Sequence, residues 1–343
     1  MMMHTIMYND YVDLEIDERG VLCAVKNYGK ACDVTIPHKL FSGEIITAIG
    51  TTFLYGEYKI IKISNKITDI AEAAFQSASV EAVVWSSGCK TIPARCFQEC
   101  KLKKLENTAK VTKVGMFAFM GAEIENIVWP KACKIIPLGC FELSCLKQIS
   151  GIKNVTDIDD HAFYKSQIET IKWPRSCQTI PKSCFKGSNL QSISGIENVT
   201  KICNFAFLKS KIQEIIWPRN CLEIPTDCFS DSCLQQISGI ENVVKVGSRA
   251  FSNCEIERII WPHGCSVIPK ECFYGSKLER INNIEHITAI CEKAFANSRL
   301  QVLDLSHTAV DFIGKQAFGA IGQDTMISPY YISKDMWDSA FRD

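Results

Sequence analysis

Cysteine and histidine are the side chains best equipped for chemistry in this sequence, which holds 18 of the first and 6 of the second among 343 residues. Thiolates attack carbon, bind zinc or pair with one another, and imidazoles carry protons or ligate metals. The spacing argues against most of these roles. No C-x-x-C pair occurs, and the recurring C-x6-C interval is not a familiar zinc spacing. Cys89, Cys133, Cys177, Cys221 and Cys265 stand where Val111, Val155, Val199 and Val243 stand one interval on, and Cys96, Cys140, Cys184, Cys228 and Cys272 alternate in the same way with Ala118, Ala162, Ala206 and Ala250. A residue that exchanges with Val and Ala behaves as a small buried hydrophobe, so free buried thiols are expected, with some disulfides or a metal as the alternatives.

The histidines (His4, His38, His161, His263, His286, His307) share no common spacing with any Ser, Cys or carboxylate, and read as solvated or turn residues. There is no glycine-rich phosphate loop and no H-E-x-x-H. The expectation is a protein with no catalytic residues, no metal ligands and no cofactor. Lys plus Arg and Asp plus Glu both number 38, a formal net charge of zero, which disfavours a dedicated nucleic-acid or anionic-membrane binder and leaves a local basic patch open. No run of about 18 apolar residues is available to span a bilayer. Residues Met1 to Asp10 lack the basic flank and apolar run of a secretory leader. Together with abundant thiols, that points to a reducing compartment such as the cytoplasm.

What positions these residues is an internal repeat. Phe recurs every 22 residues at Phe53, Phe75, Phe97, Phe119, Phe141, Phe163, Phe185, Phe207, Phe229, Phe251, Phe273 and Phe295. Counting each Phe as place 0, place 8 is always aliphatic (Ile61, Val83, Leu105 through Ile281 to Leu303), and place 5 is aliphatic with Tyr58 as the exception. Place 17 is Ile or Val from Ile70 through Ile180 to Ile290. One such interval cannot cover its own apolar side, whereas stacked intervals can, so the pattern calls for a solenoid. In Ile168-Glu169-Thr170-Ile171-Lys172-Trp173 the last three residues alternate with the strand period, Ile171 and Trp173 inward and Lys172 outward, and Pro174 ends the strand. The stretch Cys177 to Phe185 reads as a short extended run and a tight helical turn.

A 44-residue alternation overlies the repeat. Trp85, Trp129, Trp173, Trp217 and Trp261 hold place 10 in every second interval, and Asn107, Gly151, Gly195, Gly239 and Asn283 hold it in the others. Close packing suggests that each indole fills room left by the small neighbour. The competing possibility is an exposed aromatic ladder for sugars. These units, of the form F-x-x-x-x-L-x-x-I-x-x-P-x-x-V-x-x-I-x-x-x-A-F, resemble the BspA-like leucine-rich repeats of bacterial and protozoan surface antigens. The resemblance extends to Asp17–Leu22, Val34–Pro37 and Ile45–Gly50 as an opening turn and to Asp324–Trp337 as a closing strand and cap. It implies a leucine-rich-repeat, β-dominated right-handed superhelix, with a parallel sheet on the concave face and short helical turns at the corners. The expected organisation is an N-terminal cap and opening turn over 1–52, about twelve repeats over 53–318 and a C-terminal cap over 319–343.

Outward strand positions are where such a scaffold binds partners. Place 9 holds Val84, Val128, Lys172, Ile216 and Ile260 in alternate coils, and place 7 holds Glu214, Gln236, Arg258 and Arg280. Glu214, Ile216, Arg258, Ile260 and Arg280 are therefore the candidate protein-binding residues, although strand propensity alone also favours β-branched residues there. The resemblance implies adhesion to host or matrix proteins. An intracellular scaffold or adaptor, and a carbohydrate-binding lectin, are the other readings; the oligomeric state is left open. Asn154-Val155-Thr156 and Asn198-Val199-Thr200 match a glycan acceptor pattern, but they also fall at equivalent repeat positions.

Overall fold

The computed structural model describes residues 3–51, 54–322, 325–328 and 333–341. Phe53, the first of the phenylalanine series, and Asp324, the start of the expected closing strand, lie outside the described residues. The chain forms two compact units, Met1–Ile168 and Glu169–Asp343.

The first unit opens with an antiparallel meander. Strand Met3–Asn9 pairs with Val12–Asp17, which pairs in turn with Val21–Asn27. The second turn is set by Asp17, whose Oδ1 accepts the N–H groups of Arg19 and Val21, each at 2.9 Å. From there pairing becomes parallel: Val21–Asn27 takes Ala48–Ile49, and Cys32–Ile36 takes Glu57–Ile63, followed by Ser79–Val84 and Lys104–Glu106. Later coils repeat the arrangement, as in Asn126–Val128 beside Gln148–Ser150. Tyr58, the exception at place 5, is buried, and its hydroxyl lies 2.8 Å from the carbonyls of both Val25 and Tyr55, either of which accepts its single proton, so the odd polar group is satisfied.

The second unit is parallel throughout. Its three-residue strands pair as Thr170–Lys172 with Ser192–Ser194 and Glu214–Ile216 with Gln236–Ser238, and then as a four-stranded sheet of Arg258–Ile260, Arg280–Asn282, Val302–Asp304 and Met326–Ser328. A second row of two-residue strands, among them Glu223–Ile224 with Lys245–Val246 and Val267–Ile268 with Ala289–Ile290, forms another wall. Before the last coils partners lie 22 residues apart, as in Arg258 against Arg280, so the sequence period is the length of one coil. Each unit is thus a parallel β-solenoid, in which the backbone groups of one coil are satisfied by the next.

A third wall carries the phenylalanines, and here the structure departs from the helical turn expected over Cys177–Phe185. The corner is a chain of tight turns in which places −2 and 2 have positive φ: Arg95 at 55° and Glu99 at 56°, Ser183 at 54°, Lys209 at 57°. The N–H groups of places −2, 0 and 2 donate to the neighbouring coil, as Arg95 to Met116 O, Phe97 to Ala118 O and Glu99 to Met120 O at 2.7–2.9 Å. A helix would direct these groups along its own axis. Helical structure among the described residues is confined to the 3-10 turn Ile152–Asn154 and the terminal helix Lys334–Phe341.

Inside each unit the phenylalanine rings stack one coil on the next. Centroids are 5.4 Å apart for Phe119–Phe141 and for Phe207–Phe229, with interplanar angles of 9° and 4°. The five tryptophans are fully buried and pack edge-on against the Phe of the following coil, as Trp173 does on Phe185 at 5.9 Å. The reason for glycine at the alternate place 10 is different from the one the sequence suggested. Gly151, Gly195 and Gly239 have φ of 77–79°, and a Cβ on any of them would stand 2.8 Å from the carbonyl oxygen of the preceding Trp rather than from its indole. Apolar bulk is restored one place later, where Ile152, Ile196 and Ile240 are buried in the glycine coils. Asn107 and Asn283 keep the left-handed backbone and use Nδ2 to donate to Trp85 O and Trp261 O at 2.7 Å.

Candidate partner-binding face

The 18 cysteines are free thiols, and the two alternating rows are buried. Burial pushes Cys133 and Cys265 up to about 11, Cys100 and Cys254 up to about 12, and Cys96, Cys140, Cys228 and Cys272 well above the ordinary thiol range. Such groups stay protonated and are poor nucleophiles and poor metal ligands. No group of three or more His, Cys, Asp or Glu side chains suited to a metal occurs among the described residues. The rings of His263 and His286 lie 4.6 Å apart, tilted by 51°, and His286 Nε2 lies 3.0 Å from Pro262 O. Among the described residues no helix is long and apolar enough to cross a membrane.

The Asn-Val-Thr segments have a structural use. Asn154 Nδ2 donates to Lys131 O and Asn198 Nδ2 to Arg175 O at 3.5 Å, and Asn242, which lacks the following Thr, does the same to Arg219 O at 3.4 Å. The amide bridges consecutive coils whether or not the acceptor pattern is complete. The five tryptophans at place 10, with their indoles inside the core, form no exposed ladder for a sugar.

The five residues singled out in the sequence all face solvent on the three-residue strands of the second unit. Ile216 is 75% exposed and Ile260 67%, values that exclude a packing role for either side chain. Three of the five come together on one hydrogen-bonded sheet: Arg258 stands in register with Arg280, and Ile260 with Asn282. Glu214 and Ile216 lie on the strand paired with Gln236–Ser238, which runs beside Arg258–Ile260. Two strand spacings, about 10 Å, therefore separate Glu214 from Arg258 along the row, and no ion pair joins them.

The same row continues beyond the residues found by counting. Val302 follows Arg280, and Met326, 66% exposed, follows Val302. Period arithmetic misses Met326 because the last coils are longer: Leu303 pairs with Ile327, a step of 24 rather than 22. The outward face thus reads Glu214, Gln236, Arg258, Arg280, Val302, Met326 along one row and Ile216, Ser238, Ile260, Asn282 along the next. Chemically it can receive a side chain of opposite charge between two apolar contacts.

Comparison with known proteins bears on the scaffold. The family model described as the BspA type leucine rich repeat region matches in six copies, over residues 34–122, 112–235 and 200–323. Among solved structures, a leucine-rich repeat protein from Bacteroides ovatus is 18% identical with a TM-score of 0.66, covering 94% of this chain and 99% of its own. A leucine rich cell surface protein from Faecalibacterium prausnitzii is 19% identical with a TM-score of 0.55, covering 100% of this chain and 98% of its own. The search of curated proteins returns no match.

Proposed function

This chain belongs to the BspA-type leucine-rich repeat family, and from that premise we propose that it is a non-catalytic protein-interaction module that binds its partner through the outward strand face of the second unit. The observation that carries the reading is the pair of exposed isoleucines, Ile216 and Ile260, on the outward side of the three-residue strands, the second of them on the sheet that bears two in-register arginines. Apolar side chains gathered on a rigid sheet and rimmed by charge are what a protein interface requires at its centre. Supporting the non-catalytic part are the protonated, buried thiols and the lack of any cluster of metal-capable side chains among the described residues. Within this reading residues 1–52 and 319–343 serve as caps to the array of 53–318.

Adhesion to host or matrix proteins is the setting that the family suggests. A second setting, an internal scaffold, draws on one specific observation, the 18 free thiols, which suit a reducing compartment. Labelling of surface proteins on intact source cells separates the two, since only an adhesin is labelled. The face is tested with any purified protein partner: Arg258→Glu with Arg280→Glu, and separately Ile216→Ser with Ile260→Ser, should each weaken binding at least about tenfold, a loss of about 1.4 kcal/mol. Unchanged affinity in both variants would remove the face from consideration.

A further inference from the structure

In a parallel solenoid equivalent side chains stand about 4.8 Å apart on consecutive coils, so a charge repeated at one place repels itself. At several places the second unit avoids this by alternating sign. At place −2 Arg249 stands between Asp227, bound at 2.9 and 3.0 Å, and Glu271, at 3.7 Å. On the two-residue strands Glu223 faces Lys245, with 3.5 Å between the charged atoms, and at place −3 Lys270 meets Glu292 at 2.9 Å. At place 4 Lys277 pairs with Glu255 at 3.2 Å.

The strand face breaks this rule twice, side by side. Arg258 and Arg280 are in register with each other, and Glu257 and Glu279 form a second like-signed row one residue upstream. Neither arginine has an ion-pair partner among the described residues, and neither glutamate does. Everywhere else cited above the repulsion is cancelled within the chain; here it is left standing, next to the 67%-exposed Ile260.

Building on the proposed binding face, we infer that its partner is a protein segment presenting, in order, a basic, an acidic and an apolar side chain on one surface, placed over Glu257/Glu279, Arg258/Arg280 and Ile260. The acidic side chain is held between two guanidiniums and relieves their mutual repulsion, which gives it more to gain than a carboxylate meeting a single surface arginine. The acidic row beside it rejects a purely anionic ligand, because a polyanion laid over the arginines also meets the two glutamates. The isoleucine sets the polarity of the segment, with one apolar contact about 6.6 Å from the acid, two residues along an extended chain.

The test uses the full chain, immobilised under reducing conditions, and a displayed library of random twelve-residue peptides. Enriched peptides should carry Asp or Glu with an apolar residue on one side and Lys or Arg on the other. For a synthesised winner, the Arg258→Glu, Arg280→Glu double variant should lose about tenfold or more in affinity, and it should regain binding to the same peptide with its acid replaced by Lys. Circular dichroism and thermal melting of the variant check that these exposed changes leave the fold intact. Winners that depend on Ile216 and Ile260 but ignore the arginine reversal would overturn the charge order and leave the face standing. Winners indifferent to all five face residues would overturn the face itself. Heparin binding as tightly as the peptide, with Ile260→Ser without effect, would assign the arginines to polyanions and overturn the inference.

Discussion

Cys140 and Cys272 sit one residue before a core phenylalanine, in a position that alternates with alanine, and burial raises both thiols well above the ordinary value of 9.0. In the unfolded chain they ionise near that value, while in the native chain they hold their protons. Below pH 9 the two states carry the same protons and the thiols do not affect stability. Above it the unfolded state binds fewer protons than the native state, so stability falls as pH rises, with a limiting slope of about 1.4 kcal/mol per pH unit for each such thiol. Denaturant unfolding from pH 7.5 to 10.5 in reductant should show this decline starting near pH 9, and Cys140→Ala with Cys272→Ala should make it shallower. A slope unaffected by the two substitutions would mean the thiols are solvated. A second residue-scale prediction concerns place 10. Gly195→Ala puts a Cβ 2.8 Å from Trp173 O on a backbone with φ of 77° and should cost about 1–3 kcal/mol. Gly195→Asn should cost less, since Asn107 and Asn283 already occupy equivalent positions with Nδ2 on the Trp carbonyl. Thermal melts of the two variants give the order. That Gly and Asn exchange was plain in the sequence; the carbonyl responsible was not, because composition records side chains and the constraint is a backbone approach.

At the scale of elements, the two strand rows and their inward residues could be read by counting, since a strict 22-residue spacing of Phe, Ile and Trp leaves one arrangement that buries them all. The phenylalanine wall could not. Many of its left-handed positions are filled by residues such as Ala73, Arg95, Phe117, Leu143 and Lys165, side chains with no preference for positive φ, so residue type marks only the coils that carry Gly, Asn or Asp there, such as Gly121, Asp231 and Asn253. They persist because their N–H groups are claimed by the next coil, as Leu143 N by Tyr164 O at 2.8 Å. Each non-glycine residue held there bears a strain of about 1 kcal/mol or more. Leu143 has φ of 58° and a 48% exposed side chain, so it contributes little packing against that strain. Leu143→Gly should therefore stabilise the protein by about 0.5–1 kcal/mol, after the greater chain entropy of glycine in the unfolded state is deducted. Gly121 and Gly275 hold the same place in other coils at φ of 66° and 64°. A lower melting temperature for Leu143→Gly would show that the leucine packs in solution more than its exposure implies.

At the scale of the molecule, a solenoid transmits stability only between neighbouring coils, so damage at an end and damage in the middle differ in reach. The last coil of the second unit depends on the helix Lys334–Phe341. Gln316 and Phe318, at the left-handed and phenylalanine places, donate to Ser339 O and Ala340 O at 3.0 and 2.9 Å, the bonds that a further coil would otherwise accept. Phe341 lies 5.4 Å from Phe318 and Trp337 6.4 Å, so the ring stack ends under aromatic cover instead of in water. The resemblance pointed to a C-terminal cap over 319–343 only in outline, and the sequence offered no way to see which backbone groups the terminal helix would satisfy, because residues 334–341 lie outside the phase of the repeat. Deleting residues 334–343 should leave Gln316 and Phe318 N–H groups without acceptors and one face of Phe318 bare. Amide exchange should then rise sharply over 302–320 and fade within one or two coils, leaving Glu214–Ile216 and Arg258–Ile260 protected as before. Since Val302 and Met326 continue the row that holds the arginines, the same deletion should weaken ligands that reach past Arg280 and spare those centred on Ile260. Uniform loss of protection along the whole unit would mean that its coils unfold together, and the nearest-neighbour account of its stability would fail.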